Sequence, residues 1–118
     1  MGLDTTHGCW HGSYGSFNTF RKWVCKEVLG LELDTRIGHG GAEPWPDHPI
    51  VSLLDHSDCD GDLDPDECLK IGCVLLPLYQ KHKYNPCPNP DRWVIEGCRT
   101  FGLGCIDAWR MGDHVHFH

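Results

Sequence analysis

Residues 56–67 read HSDCDGDLDPDE, with five Asp, one Glu, one Gly and one His in twelve positions. Crowding carboxylates this tightly costs electrostatic free energy unless a cation or a set of backbone N–H groups compensates. Three kinds of chemistry fit. The acids can hold a divalent metal ion with oxygens from Asp58, Asp60, Asp62 and Glu67 and a ring nitrogen of His56. They can open a helix, since Asp64 suits an N-cap, Pro65 suits the first helical position and Glu67 can close a capping box. Or they can form half of a catalytic centre, with metal-bound water as the nucleophile and Asp62 or Glu67 as base. The helix start explains Asp64, Asp66 and Glu67 but leaves His56, Asp58, Asp60 and Gly61 without a role.

With Gly61 at the sixth position, the segment resembles an EF-hand calcium loop over all twelve residues. Asp58 falls at position 3, Asp60 at 5, Asp62 at 7, Leu63 at 8, Asp64 at 9 and Glu67 at 12. The resemblance implies alternate groups converging on one ion, a sharp turn at Gly61 and a closing carboxylate on the following helix. The departure is His56 at position 1, because imidazole suits zinc, manganese or iron better than calcium. A strand expected over residues 50–54 would also replace the incoming helix. A buried strand ending in His56, Asp58, Asp60 and Gly61 is similar to the first motif of phosphoesterases that carry a consecutive Asp-His-His. That second motif is absent here.

More candidate ligands lie near the amino end, in DTTHGCWHGSY, residues 4–14. In a compact loop His7, Cys9 and His11 can meet around one ion, and His7 and His11 are natural partners for His56 and Asp58. Such a mixed set would favour zinc, manganese or iron. Cys9, with a His two residues away on each side, is also the better candidate for Cys–His nucleophilic chemistry; acids around Cys59 would suppress its thiolate. His114, His116 and His118 alternate with Val115 and Phe117, as in a strand with one polar face.

The elements that position these residues are read from periodicity. Apolar residues at helical spacing place one helix over 16–29, with Ser16 as N-cap and Gly30 as stop. A second, from about residue 65, carries Leu69, Cys73, Leu76 and Tyr79 and is kinked or ended near Pro77. A third runs over 91–110 despite Gly97, Gly102 and Gly104. Strands are expected over 2–6, 50–54 and the terminal HVHFH. The 34–49 stretch is a Gly- and Pro-broken loop. The expectation is one α+β domain over residues 1–118: a small sheet of about three strands packed by about three helices, the strand ends bringing His7 and His11 to His56, Asp58 and Asp60.

Composition narrows the function. The chain has 118 residues and a formal net charge of −7, with basic residues scattered, which disfavours nucleic acid and anionic membranes as partners. No apolar run is long enough to span a membrane. The first residues lack the pattern of a secretory signal, so the eight Cys are expected as reduced, buried small hydrophobes in a cytoplasmic setting. The segments MGLDTTHGCWHGSYGSF, LLDHSDCDGDL and the closing FH resemble a family of small bacterial and phage proteins. That resemblance implies no activity, but it implies a prokaryotic or phage setting and pairs the two His-bearing segments in one domain. The leading expectation is a divalent-metal-binding protein, the ion being calcium, zinc or manganese. The alternatives are a non-enzymatic interaction module with a protein partner, in which the acidic segment is only a helix-capping turn, and a metal-dependent phosphoesterase or hydrolase.

Overall fold

The computed structural model describes residues 2–37, 39–57, 61–84 and 92–118. Strand β1, Gly2–Asp4, pairs antiparallel with β2, His11–Ser13. Helix α1, Tyr14–Leu29, follows at once. After the long loop come a single helical turn, α2, Val51–Leu54, and strand β3, Asp62–Leu63. Helices α3, Pro65–His82, and α4, Arg92–Met111, form the bulk of the chain, and β4, Val115–His116, pairs antiparallel with β3. The fold class is α+β, as expected.

The two short ladders are joined by a bridge between Thr5 and Phe117, and Asp4 and His118 exchange backbone hydrogen bonds of 2.9 and 2.8 Å. The first residues and the terminal strand therefore adjoin, as expected. The third contributor differs. Residues 51–54 are helical, not a strand, with Ile50 as the N-cap: Leu54 N–H donates to Ile50 O and Asp55 N–H to Val51 O, the i→i−4 pattern. A five-residue apolar run is consistent with a buried strand or a buried helical turn, and periodicity alone does not separate them. Asp62–Leu63 takes the place in the ladder instead.

Helix α1 starts before the expected Ser16. Ser13 is the N-cap, its Oγ accepting from Ser16 N–H at 3.0 Å. Gly30 ends the helix in the left-handed region at φ 68°, as expected. The helix buries Phe17, Phe20, Val24 and Cys25. Phe17 and Phe20 stack on Phe101 of α4 with ring centroids 6.2 Å apart, and Trp10 and Phe117 complete the aromatic core.

Helix α3 buries Cys68, Ile71, Gly72, Leu75 and Leu78, one position from the expected stripe through Leu69, Cys73, Leu76 and Tyr79. The helix is apolar almost all round, so two stripes compete and α4 selects one. Pro77 does not end it; the helix continues to His82. The glycines expected to weaken α4 are where it packs. A Cβ at Gly102 would come within 2.9 Å of the Leu76 side chain, and one at Gly72 of α3 would come within 2.7 Å of Ile106. At Gly104 the added atom would meet Cys9 Sγ at 2.5 Å and the carbonyl oxygen of His7 at 2.8 Å. Backbone cannot move aside as a side-chain tip can, so Gly104→Ala should destabilise the protein by about 1–3 kcal/mol in urea denaturation, despite a gain of about 1 kcal/mol in helix propensity. A neutral or stabilising result would contradict this packing.

Candidate cation-binding loop

Helix α2 delivers the chain to Asp55 and His56, and a buried cation fixes its end. Arg21 of α1 is 2% exposed. Its Nη1 donates to Leu54 O at 3.3 Å and to His56 O at 2.6 Å, Nη2 donates to Asn18 Oδ1, and the guanidinium lies 4.7 Å from the Phe17 ring centroid. Leu54 O also accepts from His39 Nε2 at 2.7 Å, which ties the long loop to the same point.

Beyond Ser57 the described chain resumes at Gly61, whose φ of 87° lies in the region that favours glycine. Gly61 O accepts from Phe117 N–H at 3.0 Å. Leu63 is fully buried and pairs with Val115, while Asp62 pairs with His116. Asp64 then caps α3: its Oδ1 accepts from Glu67 N–H at 2.8 Å, and Glu67 Oε1 accepts from Asp64 N–H at 3.1 Å. The helix-start role expected for Asp64, Pro65 and Glu67 is present in full.

His56 closes the loop internally. Its ring packs on Phe117 with centroids 4.1 Å apart. Nδ1 lies 2.7 Å from Ser57 O and Nε2 lies 3.0 Å from Asp62 O. Carbonyl oxygens only accept, so both contacts are hydrogen bonds when the ring carries two protons as imidazolium. Asp62 Oδ2 in turn accepts from His114 Nδ1 at 2.6 Å. An open cleft of about 470 Å³ borders the loop, with Asp47, His48, Asp55, His56 and Glu67 on its walls. Nδ1 of His48 accepts from Ile50 N–H at 3.1 Å, which leaves its proton on Nε2 when the ring is neutral.

The amino-terminal candidates have other partners. His7 has a left-handed backbone, φ 63°, with Nδ1 3.0 Å from Thr6 Oγ1 and Nε2 3.3 Å from Asp113 Oδ2. His11 is 87% exposed, its Nδ1 3.5 Å from Asp4 Oδ1. Cys9, between them, is fully buried. The three side chains therefore face different surroundings, and the partners of His7 and His11 lie outside the acidic segment. Asp58, Cys59 and Asp60 lie outside the described residues. Among the described residues no three His, Cys, Asp or Glu side chains form a group that could hold a metal ion, and no helix is long and apolar enough to cross a membrane.

Sequence reasoning missed Arg21, His39 and the pairing of His114 with Asp62. Each is joined to the loop only by tertiary structure. Asp55 adjoins the acidic run and carried a signal that spacing rules passed over. The strand premise behind the phosphoesterase likeness is gone, because residues 51–54 are helical. Compared with known proteins, the chain matches no protein-family model, no curated protein and no solved structure.

Replacing Arg21 by Met keeps the apolar stem and removes the donors to Leu54 O and His56 O. The expected cost is about 1–3 kcal/mol in denaturant unfolding, from the loss of the charged donor to Leu54 O and His56 O, only the first of which keeps a second partner, in His39. A loss below about 0.5 kcal/mol would show that the guanidinium does not anchor the loop.

Proposed function

We propose that this chain is a divalent-cation-binding protein and that residues 56–67 are its ion seat. The observation that carries the reading is the path of the chain: a helical turn at 51–54, a left-handed Gly61, a short paired strand at 62–63 and a helix with Glu67 in its first turn. This is the order an EF-hand-type loop requires, with Gly at position 6 and Glu at position 12. In this reading the four-residue turn α2 stands where an EF-hand has its incoming helix.

The donors are mostly oxygens. Asp62 would offer its carbonyl, Glu67 its carboxylate on leaving Asp64 N–H, and Asp58 and Asp60 their side chains, a set that suits calcium over zinc. Manganese fits second, through its tolerance of imidazole. With both ring nitrogens directed at Ser57 O and Asp62 O, His56 occupies the position-7 carbonyl that an ion would use. The His56 ring is a resident stand-in for the cation, and binding requires it to leave. This reading leaves out His7 and His11, whose carboxylate partners are Asp113 and Asp4. A prokaryotic or phage cytoplasm remains the setting this reading adopts, and hydrolytic chemistry would follow only if the bound ion kept an open position.

Isothermal titration with calcium tests the stand-in. His56→Asp supplies the missing position-1 carboxylate and removes the competing ring, so calcium affinity should rise at least about tenfold over wild type, or about 1.4 kcal/mol. Equal affinities, or no binding by either protein, would overturn the reading.

A second reading, a protein-interaction module, draws on Trp93, Leu103, Trp109 and Met111 of α4, each more than 40% exposed. It expects partner binding to survive His56→Ala and to fall on Trp93→Ala/Trp109→Ala; loss with His56→Ala instead would exclude it.

A further inference from the structure

The closing HVHFH segment carries three histidines that the ion seat does not use. Side chains two residues apart share a face of an extended strand. Around β4 this leaves His114, His116 and His118 exposed, while Val115 and Phe117 enter the core. His116 stands opposite Asp62 in the β3–β4 ladder. The His114 and His116 rings lie nearly parallel, 13° apart in plane, with centroids separated by 6.1 Å. Two imidazoles that share one zinc ion, each with a Zn–N bond of about 2.0–2.1 Å, hold their centroids roughly 5–6 Å apart. Small turns of two solvent-facing side chains close that difference.

The two rings are not equivalent. His114 Nδ1 lies 2.6 Å from Asp62 Oδ2, and both side chains are nearly half exposed. A carboxylate only accepts, so the proton sits on Nδ1 and the neutral ring presents a bare lone pair at Nε2. A carboxylate behind a metal-binding histidine fixes the tautomer in this way and raises the basicity of the other nitrogen. The His116 ring makes no hydrogen bond among the described residues; its backbone N–H donates to Thr6 Oγ1 at 2.9 Å, which holds the strand and leaves the ring able to turn. Imidazole nitrogen suits zinc, copper and nickel, not calcium.

We propose that His114 and His116 form a two-histidine site for a zinc-class transition-metal ion, with Asp62 as the positioning residue behind His114. No third His, Cys, Asp or Glu side chain completes a metal-holding group among the described residues. Water therefore fills the remaining positions, and the ion stays open to an incoming anion or carbonyl oxygen. The site shares only Asp62 with the ion seat: its carboxylate serves His114 here, and its carbonyl faces His56 there.

The test uses the full, untagged chain carrying Cys59→Ser, Cys73→Ser and Cys87→Ser, which leaves the five buried thiols. Zinc chloride is titrated at a pH where imidazole is neutral. Binding is followed by calorimetry and by long-range 1H–15N spectra of the histidine rings. About one zinc ion per chain should move the ring-nitrogen signals of His114 and His116. His114→Gln/His116→Gln, both on the surface and checked for folding by circular dichroism, should weaken zinc binding at least about tenfold. Asp62→Ala should cost about ten- to hundredfold. Asp62→Asn, which keeps an acceptor for His114 Nδ1–H, should lose less, a rescue that a merely structural Asp62 would not give. Wild-type affinity in the double histidine variant would overturn the proposal. So would ring shifts confined to other histidines, or no zinc uptake by the parent chain.

Discussion

The close approach of α3 and α4 is the constraint on which the rest depends. It is set where glycines replace side chains: Gly72 against Ile106, and Gly102 against Leu76. Removing a side chain at a helix contact lets the axes approach and gains dispersion contacts along both helices, more than offsetting about 1 kcal/mol lost in propensity at each glycine. Everything at the loop hangs from this pair. Helix α3 begins at its acidic end and carries Glu67; α4 ends four residues before Val115, which pairs with Leu63. Gly104 extends the same logic to Cys9 and so draws the amino-terminal hairpin onto α4.

Within that frame the acidic segment poses a charge problem for a chain whose net charge is already −7. The fold answers with several small positive contributions. The backbone N–H groups at the start of α3 serve Asp64 and Glu67. His114 serves Asp62. The guanidinium of Arg21 and the ring of His56 hold the carbonyls on either side of the turn. These are the jobs a bound cation would share, and their convergence is why an ion and the His56 ring compete for one place in the proposed mechanism.

Much of the frame is legible in the sequence because it rests on local rules. The cap at Asp64-Pro65, the stop at Gly30 and the two-residue alternation of HVHFH follow from side-chain chemistry within a few residues. Val115 and Phe117 are buried and His114, His116 and His118 exposed, as the alternation predicts. The failures are where local rules tie. IVSLL fits a strand or a turn of helix, and only docking against α1 and α3 decides. The apolar stripe of α3 was misplaced because LKIGCVLLPLY offers two faces. Cys73 was expected inside for the same reason and is exposed. At the loop, the helix-capping half of the twelve-residue pattern, Asp64 to Glu67, is present as read, but the use of His56 as an internal donor, the Arg21 anchor and the His114 pairing depend on residues 33 to 52 positions away or on the ring's orientation. Histidines grouped by sequence, such as His7 and His11, are parted by the hairpin that places one on Asp113 and the other on the outer surface.

The central claim is that residues 56–67 seat a divalent cation. The most direct measurement is equilibrium dialysis against calcium, with bound metal counted by inductively coupled plasma mass spectrometry, for wild type beside Asp58→Asn/Asp60→Asn/Glu67→Gln. The account predicts about one bound calcium per wild-type chain and essentially none in the variant. Equal uptake by both proteins, or none by wild type at millimolar calcium, would contradict it and leave the segment as the capping turn of α3.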